Sequence, residues 1–203
     1  MAVIALAVLI GGMGGWTTAT SPRRGPAGPL RSWWLLVTAV GPEACLGSTS
    51  GALHTLLAVL ACLLVVAWCA ANALARRGQR NGFGLVAAGV AMNTLVIALN
   101  GGMPVSSGAL AAAGFPRGMD VARGHLYKHL AMTASTRLRL LGDFVPVRLL
   151  RTVLSPGDIV MLAGIVVITW AVCGSWRRAR SSTGQLGQLD AKPARDELAA
   201  PVS

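Results

Sequence analysis

The sequence predicts an all-α membrane protein, a bundle of about five transmembrane helices with a long extracytoplasmic loop between the fourth and the fifth. Three observations predict it. Of the 203 residues, 54% are hydrophobic and 12% are charged, about half the charge an ordinary soluble domain carries. Several apolar runs approach the roughly 20 residues that cross a ~30 Å hydrocarbon core as a helix. Arginines cluster beside the ends of those runs, where basic residues set orientation against the membrane. The net charge of +11 is thereby assigned to anionic lipid, and no nucleic-acid partner is expected.

The spans are placed at residues 1–16, 33–48, 53–75, 82–99 and 158–176. The first lacks the basic start of a cleaved signal peptide and is read as a retained span with its N-terminus outside. The second is the weakest, because Pro42 and Glu43 interrupt it. The third and fourth are separated by a short basic turn holding Arg76, Arg77 and Arg80, and Arg177 and Arg178 close the fifth. Five spans put these arginines, with Arg23, Arg24 and Arg31, on one side, which is expected to be cytoplasmic. Trp16, Trp33, Trp34 and Trp176 fall at the same ends, and Trp68 and Trp170 lie about two turns further in, as interfacial rings do. Residues 181–203, rich in Ser, Gly, Gln and charge, are expected to form a disordered cytoplasmic tail, leaving 1–180 as the membrane domain.

Within the bundle, Gly11 and Gly15, and the Gly84/Ala88 pair, have the small-residue spacing that lets helix backbones approach in lipid. Asn72 and Asn93 are read as hydrogen-bonding glue rather than a transport site. No Asp, Glu, Lys or Arg lies in the middle of a span, which argues against a proton-coupled pump or voltage sensor. Of the four cysteines, Cys62, Cys69 and Cys173 sit in apolar runs as small hydrophobes, and Cys45 has no partner for a disulfide.

Residues 100–157 form the loop. Asn100-Gly101-Gly102 gives a sharp exit from the fourth span and Pro104 prevents its continuation. Ser106 or Ser107 is set to cap a short helix through Ala113, ended by Gly114. If the chain is helical around them, His125 and His129 share a face. With Asp120 or Asp143 they are weak candidates for a metal site, but Leu126 stands where a zincin carries Glu. No metal or other cofactor is expected. Arg137 has two readings, an ion pair with Asp143 or, with Arg139, bidentate contact to an anionic headgroup or phosphate. A solvated or lipid-facing basic strip is the blander alternative. Residues 147–154, which include Arg148 and Arg151, look like an amphipathic turn or two at the interface. In Ser155-Pro156-Gly157-Asp158 a hydroxyl stands at N-cap, proline at N1 and a carboxylate at N3, so Asp158 is read as a structural cap.

Asn100-Gly101-Gly102-Met103-Pro104-Val105-Ser106, Lys128-His129, Thr136-Arg137-Leu138, Leu141-Gly142-Asp143 and Ser155-Pro156-Gly157-Asp158 together resemble a family of small bacterial multi-pass membrane proteins of unknown function. The resemblance implies a bacterial inner-membrane protein with a shared outer loop; it supplies no substrate, cofactor or catalytic residue. The interruption at Pro42-Glu43 departs from its usual pattern.

Three functions compete. The first is a binding or scaffold protein whose loop engages lipid headgroups or a membrane partner, including a second copy of itself, with Asn100, Lys128, Arg137 and Arg139 as binding residues. The second is an interfacial enzyme on a phosphorylated or lipid-linked substrate, with His129 as acid or base, Asp143 orienting it and Arg137 holding the anion. It requires His129 and Asp143 within hydrogen-bond reach. The third is a small transporter built on the broken second span.

Overall fold

A computed structural model describes residues 9–10, 13, 32, 34–45, 51–116 and 129–173. The protein is mostly helical, and among the described residues three helices are long and apolar enough to cross a membrane. The expected first span falls mainly outside the described residues, as do residues 174–203. Helix α1 (Trp34–Cys45) lies within the expected second span, 33–48, but its 12 residues are too few to cross a membrane. It runs on through Pro42 and Glu43, where the sequence predicted an interruption.

Helices α2 (Gly51–Ala75) and α3 (Arg80–Asn100), both among the helices long and apolar enough to cross a membrane, are joined by a 3-10 turn over Arg77–Gln79. The turn is held from within: Arg76 Nη1 donates to Gln79 Oε1 at 2.7 Å, and Gln79 is buried. Helix α5 (Pro156–Cys173) falls in the fifth expected span and starts two residues before the expected 158. Cys69 of α2 and Phe83, Val86 and Val90 of α3 form the core of the bundle, with Met161, Ile165 and Ile168 of α5 packed against it. Trp68 belongs to this core, its ring meeting Phe83 edge-on at 5.4 Å, so it packs between helices rather than anchoring at the headgroups.

The contact between α3 and α5 is made by glycine. A Cβ on Gly82 would lie 2.6 Å from the Ile168 side chain, and one on Gly164 would lie 2.7 Å from both the Gly82 carbonyl and the Val86 amide. Gly89 likewise meets the backbone of Gly157 and Met161. The helices therefore touch backbone to backbone, which only residues without a side chain permit. Gly84, the glycine the sequence spacing selected, faces open space.

At one end of this contact Asn93 ties the helices together. Its Nδ2 donates to Asp158 Oδ1 at 2.8 Å, and its Oδ1 accepts from Ser155 Oγ at 2.9 Å. Ser155 and Asp158 also form the predicted capping box, with Asp158 N–H donating to Ser155 Oγ at 2.9 Å and Ser155 N–H donating to Asp158 Oδ2 at 3.0 Å. The amide is structural glue, as expected, and the cap is its partner.

The segment between α3 and α5 departs from the all-α expectation. Strand β1 (Met103–Val105) pairs in parallel with β2 (His129–Ala131), and β3 (Val145–Val147) pairs antiparallel with β4 (Thr152–Leu154). The short helix α4 (Ser107–Ala112) lies between β1 and β2 in sequence, its N-cap Ser106 accepting from Ala109 N–H. Val105 and Leu110 are buried with Phe115 and Val153 against them, so the segment has a small core of its own. Residues 147–154, expected as amphipathic helical turns, are the second half of a hairpin whose tip is the 3-10 turn Arg148–Leu150.

Candidate functional site

The site is organised around β1. Gly101 adopts φ +80 and closes α3 through its N–H to the Ile97 carbonyl, and Thr55 Oγ1 of α2 donates to the Gly101 carbonyl at 3.3 Å. The chain then enters β1 buried at Met103, Pro104 and Val105. One side of β1 carries β2; on the other, Asp143 N–H donates to the Pro104 carbonyl at 2.8 Å and Ser106 N–H donates to the Asp143 carbonyl at 2.9 Å. Proline is tolerated in this middle strand because its carbonyl carries the pairing on the Asp143 side and no amide is demanded of it. Gly142 is required by the closeness of this packing: a Cβ there would lie 2.8 Å from both the Pro104 carbonyl oxygen and the Met132 methyl.

His129 and Asp143 thus flank one strand, and their side chains meet, Nε2 to Oδ2, at 3.1 Å. Asp143 is 3% exposed. Burial raises its carboxyl pKa above the ordinary value, and the hydrogen bond and charge of His129 oppose that rise only in part. The outer atoms of the pair, His129 Nδ1 and Asp143 Oδ1, are buried and make no hydrogen bond. Asp143 pairs with His129 and not with Arg137, whose side chain makes no ion pair or hydrogen bond among the described residues.

Arg137 is fixed through its backbone. Asn100, the last residue of α3, accepts the Arg137 N–H at Oδ1 (2.8 Å) and donates from Nδ2 to the Arg137 carbonyl (3.0 Å), while also donating to the Val96 carbonyl at 2.9 Å. That double contact holds the chain where Leu138 takes φ +51, a left-handed backbone that leucine rarely adopts. Around it opens a cleft of about 370 Å³, lined by Leu99, Asn100, Pro104, Leu130, Ala131, Thr133, Ser135, Thr136 and Arg137. Its lining combines three hydroxyl-bearing residues, one amide and one arginine with Leu99, Pro104, Leu130 and Ala131. Thr133 N–H donates to Thr136 Oγ1 at 2.8 Å and Thr133 Oγ1 lies 2.9 Å from Ser135 Oγ, which fixes the hydroxyl rim.

Of the residues singled out in the sequence, Asn100 and Arg137 come together in this cleft, and His129 and Asp143 form the adjacent pair without lining it. Asn100 acts on the backbone of Arg137 rather than as a free amide. Arg139 opens the 3-10 turn Arg139–Leu141 and is exposed away from the cleft. Lys128, His125 and Asp120 lie outside the described residues. His129 stands in a strand, so the shared helical face proposed for it and His125 does not apply at that position. Among the described residues no group of three or more His, Cys, Asp or Glu could hold a metal.

Sequence reasoning missed the hydroxyl rim, because Thr133, Ser135 and Thr136 carry no motif of their own. It also passed over His54, buried near the start of α2. Two 3-10 turns were invisible in the same way: they present Leu140, 81% exposed, and Leu149, 91% exposed, beside Arg139, Arg148 and Arg151.

No curated protein and no solved structure matches the chain. Of the segments that carried the resemblance, 100–106, 128–129, 136–138, 141–143 and 155–158, all but Lys128, which lies outside the described residues, belong to β1, its neighbours and the cap of α5. A known family spans this region and both flanking helices: over residues 29–170 the chain matches DUF5317, a family of unknown function, and it belongs to that family.

Proposed function

We propose that the protein is a multi-pass protein of the bacterial plasma membrane whose outer segment binds an anionic, phosphate-bearing headgroup in the cleft around Arg137. In this reading five spans cross the membrane, the N-terminus lies outside, and the C-terminal tail is cytoplasmic. The observation that carries it is the cleft itself, lined by Thr133, Ser135, Thr136 and Arg137, whose backbone Asn100 holds and whose side chain makes no hydrogen bond or ion pair among the described residues. A guanidinium with hydroxyl donors is the set that recognises a phosphate diester. The exposed Leu140 and Leu149 beside arginines support the same reading, since apolar tips flanked by cations suit an anionic lipid surface.

The test is calorimetric titration of the purified protein in detergent with a water-soluble glycerophosphodiester. Arg137→Gln is expected to weaken binding about tenfold, the ~1.4 kcal/mol of one charge-assisted contact. Equal binding by parent and variant would sink the proposal.

A second reading, an interfacial enzyme with His129 as acid or base, is favoured by the 3.1 Å His129–Asp143 contact. It is the weaker of the two because His129 does not line the cleft that would hold a substrate anion. Hydrolysis of a lipid phosphodiester that is lost in His129→Gln would revive it.

A further inference from the structure

A second cleft, of about 230 Å³, opens at the opposite end of α3, between that end and α5. It is lined by Arg77, Gly78, Asn81, Gly82, Val167, Trp170 and Ala171. Gly82 lines this cleft and Leu99 the first, so about 25 Å of helix separates the two.

Its shape follows from the glycine contact. Where Gly82 meets Gly164 and Ile168 the helices touch, and beyond that contact the cleft opens between the turn at Arg77 and Gly78 and the α5 residues Val167, Trp170 and Ala171. Its chemistry follows from the turn: of the adjacent arginines, Arg76 is engaged by the buried Gln79, whereas the side chains of Arg77 and Asn81 are exposed and make no hydrogen bond or ion pair among the described residues. The α5 side is apolar. Trp170 is 46% exposed and Val167 is exposed beside it, both on the outer surface of a helix long and apolar enough to lie in lipid. One wall therefore offers a cation and an amide and the other an indole and an aliphatic surface, at the end of two spanning helices.

We propose that this cleft is a binding site for a phospholipid with an anionic headgroup, its phosphate on Arg77 and Asn81 and its glycerol and upper acyl chain against Trp170 and Val167. Basic pockets between spanning helices take lipid phosphates in this way, and a tryptophan ring favours the headgroup level. A free phosphate ion would use the first wall and leave the second without a role.

The experiment is fluorescence quenching of the full chain in vesicles by brominated lipids, with Trp170 isolated as the difference between parent and Trp170→Phe. At equal mole fraction, brominated phosphatidylglycerol is expected to occupy the site about fivefold more than brominated phosphatidylcholine, the equivalent of ~1 kcal/mol for one basic group. Arg77→Gln should remove the preference, Arg77→Lys should keep most of it, and Arg137→Gln should leave it unchanged. Equal quenching by the two lipids, or a preference that survives Arg77→Gln, would overturn the proposal. Loss of the preference on adding inorganic phosphate would assign the cleft to a free anion and overturn it equally.

Discussion

Asp143 is the residue at which the outer segment is most sensitive to chemistry, because it is buried, titratable and joined to the strands by its own backbone. Its pKa is raised chiefly by burial, so the folded state binds its proton more tightly than the unfolded chain does. The contribution to stability is therefore fully present below the ordinary carboxylate value and is lost as pH rises through the raised one. Melting temperatures in detergent across that window should show the parent losing stability relative to Asp143→Asn as pH rises; the opposite slope would refute the assignment. Asp143→Ala should cost about 1–3 kcal/mol, because it leaves His129 Nε2 without its partner. At this scale the sequence was legible where a local rule applied. Ser155, Pro156 and Asp158 could be assigned to a cap because capping involves neighbours in the chain. The meeting of His129 with Asp143, and of Asn100 with Arg137, depends on pairing across 14 and 37 residues of sequence, which no local pattern encodes.

Among the elements, the α3–α5 contact decides how the bundle closes. It is made by Gly82, Gly89, Gly157 and Gly164, each pressed against backbone of the facing helix. In lipid there is little hydrophobic drive between helices, so close backbone approach and the Asn93–Asp158–Ser155 bonds must supply the cohesion. Gly164→Ala would place a methyl 2.7 Å from the Gly82 carbonyl and the Val86 amide, and the helices would have to part. It should destabilise by about 1–3 kcal/mol, as overpacking does. Gly84→Ala meets nothing within 4 Å and should be neutral or stabilise by up to about 1 kcal/mol through helix propensity. Equal melting temperatures for the two variants would contradict the packing. Spacing alone chose Gly84 because small residues recur throughout an alanine-rich helix; the facing helix, which the sequence does not place, picks out the others. The strands were missed for a related reason. Each is three residues long, too short for alternation to register.

For the molecule as a whole, hydropathy was the legible property, since an apolar run of sufficient length has few fates other than a bilayer. Both ends of α2 and α3 and the start of α5 lie within about two residues of the expected ones, within the ordinary scatter of helix ends. The central claim is the arrangement these spans impose: a small mixed module, built on β1, set over one end of the bundle, with the basic turn of Arg76, Arg77 and Arg80 at the other. Both proposed sites depend on it, the one at Arg137 proposed to face outward and the one at Arg77 proposed to lie at the inner lipid surface. The direct measurement is labelling of intact cells with a membrane-impermeant maleimide, in a background where Cys45, Cys62, Cys69 and Cys173 are replaced by alanine. Ser135→Cys is predicted to react in intact cells, and Arg77→Cys only after permeabilisation. Reaction of both from the same side, or of Ser135→Cys only after permeabilisation, would contradict the account.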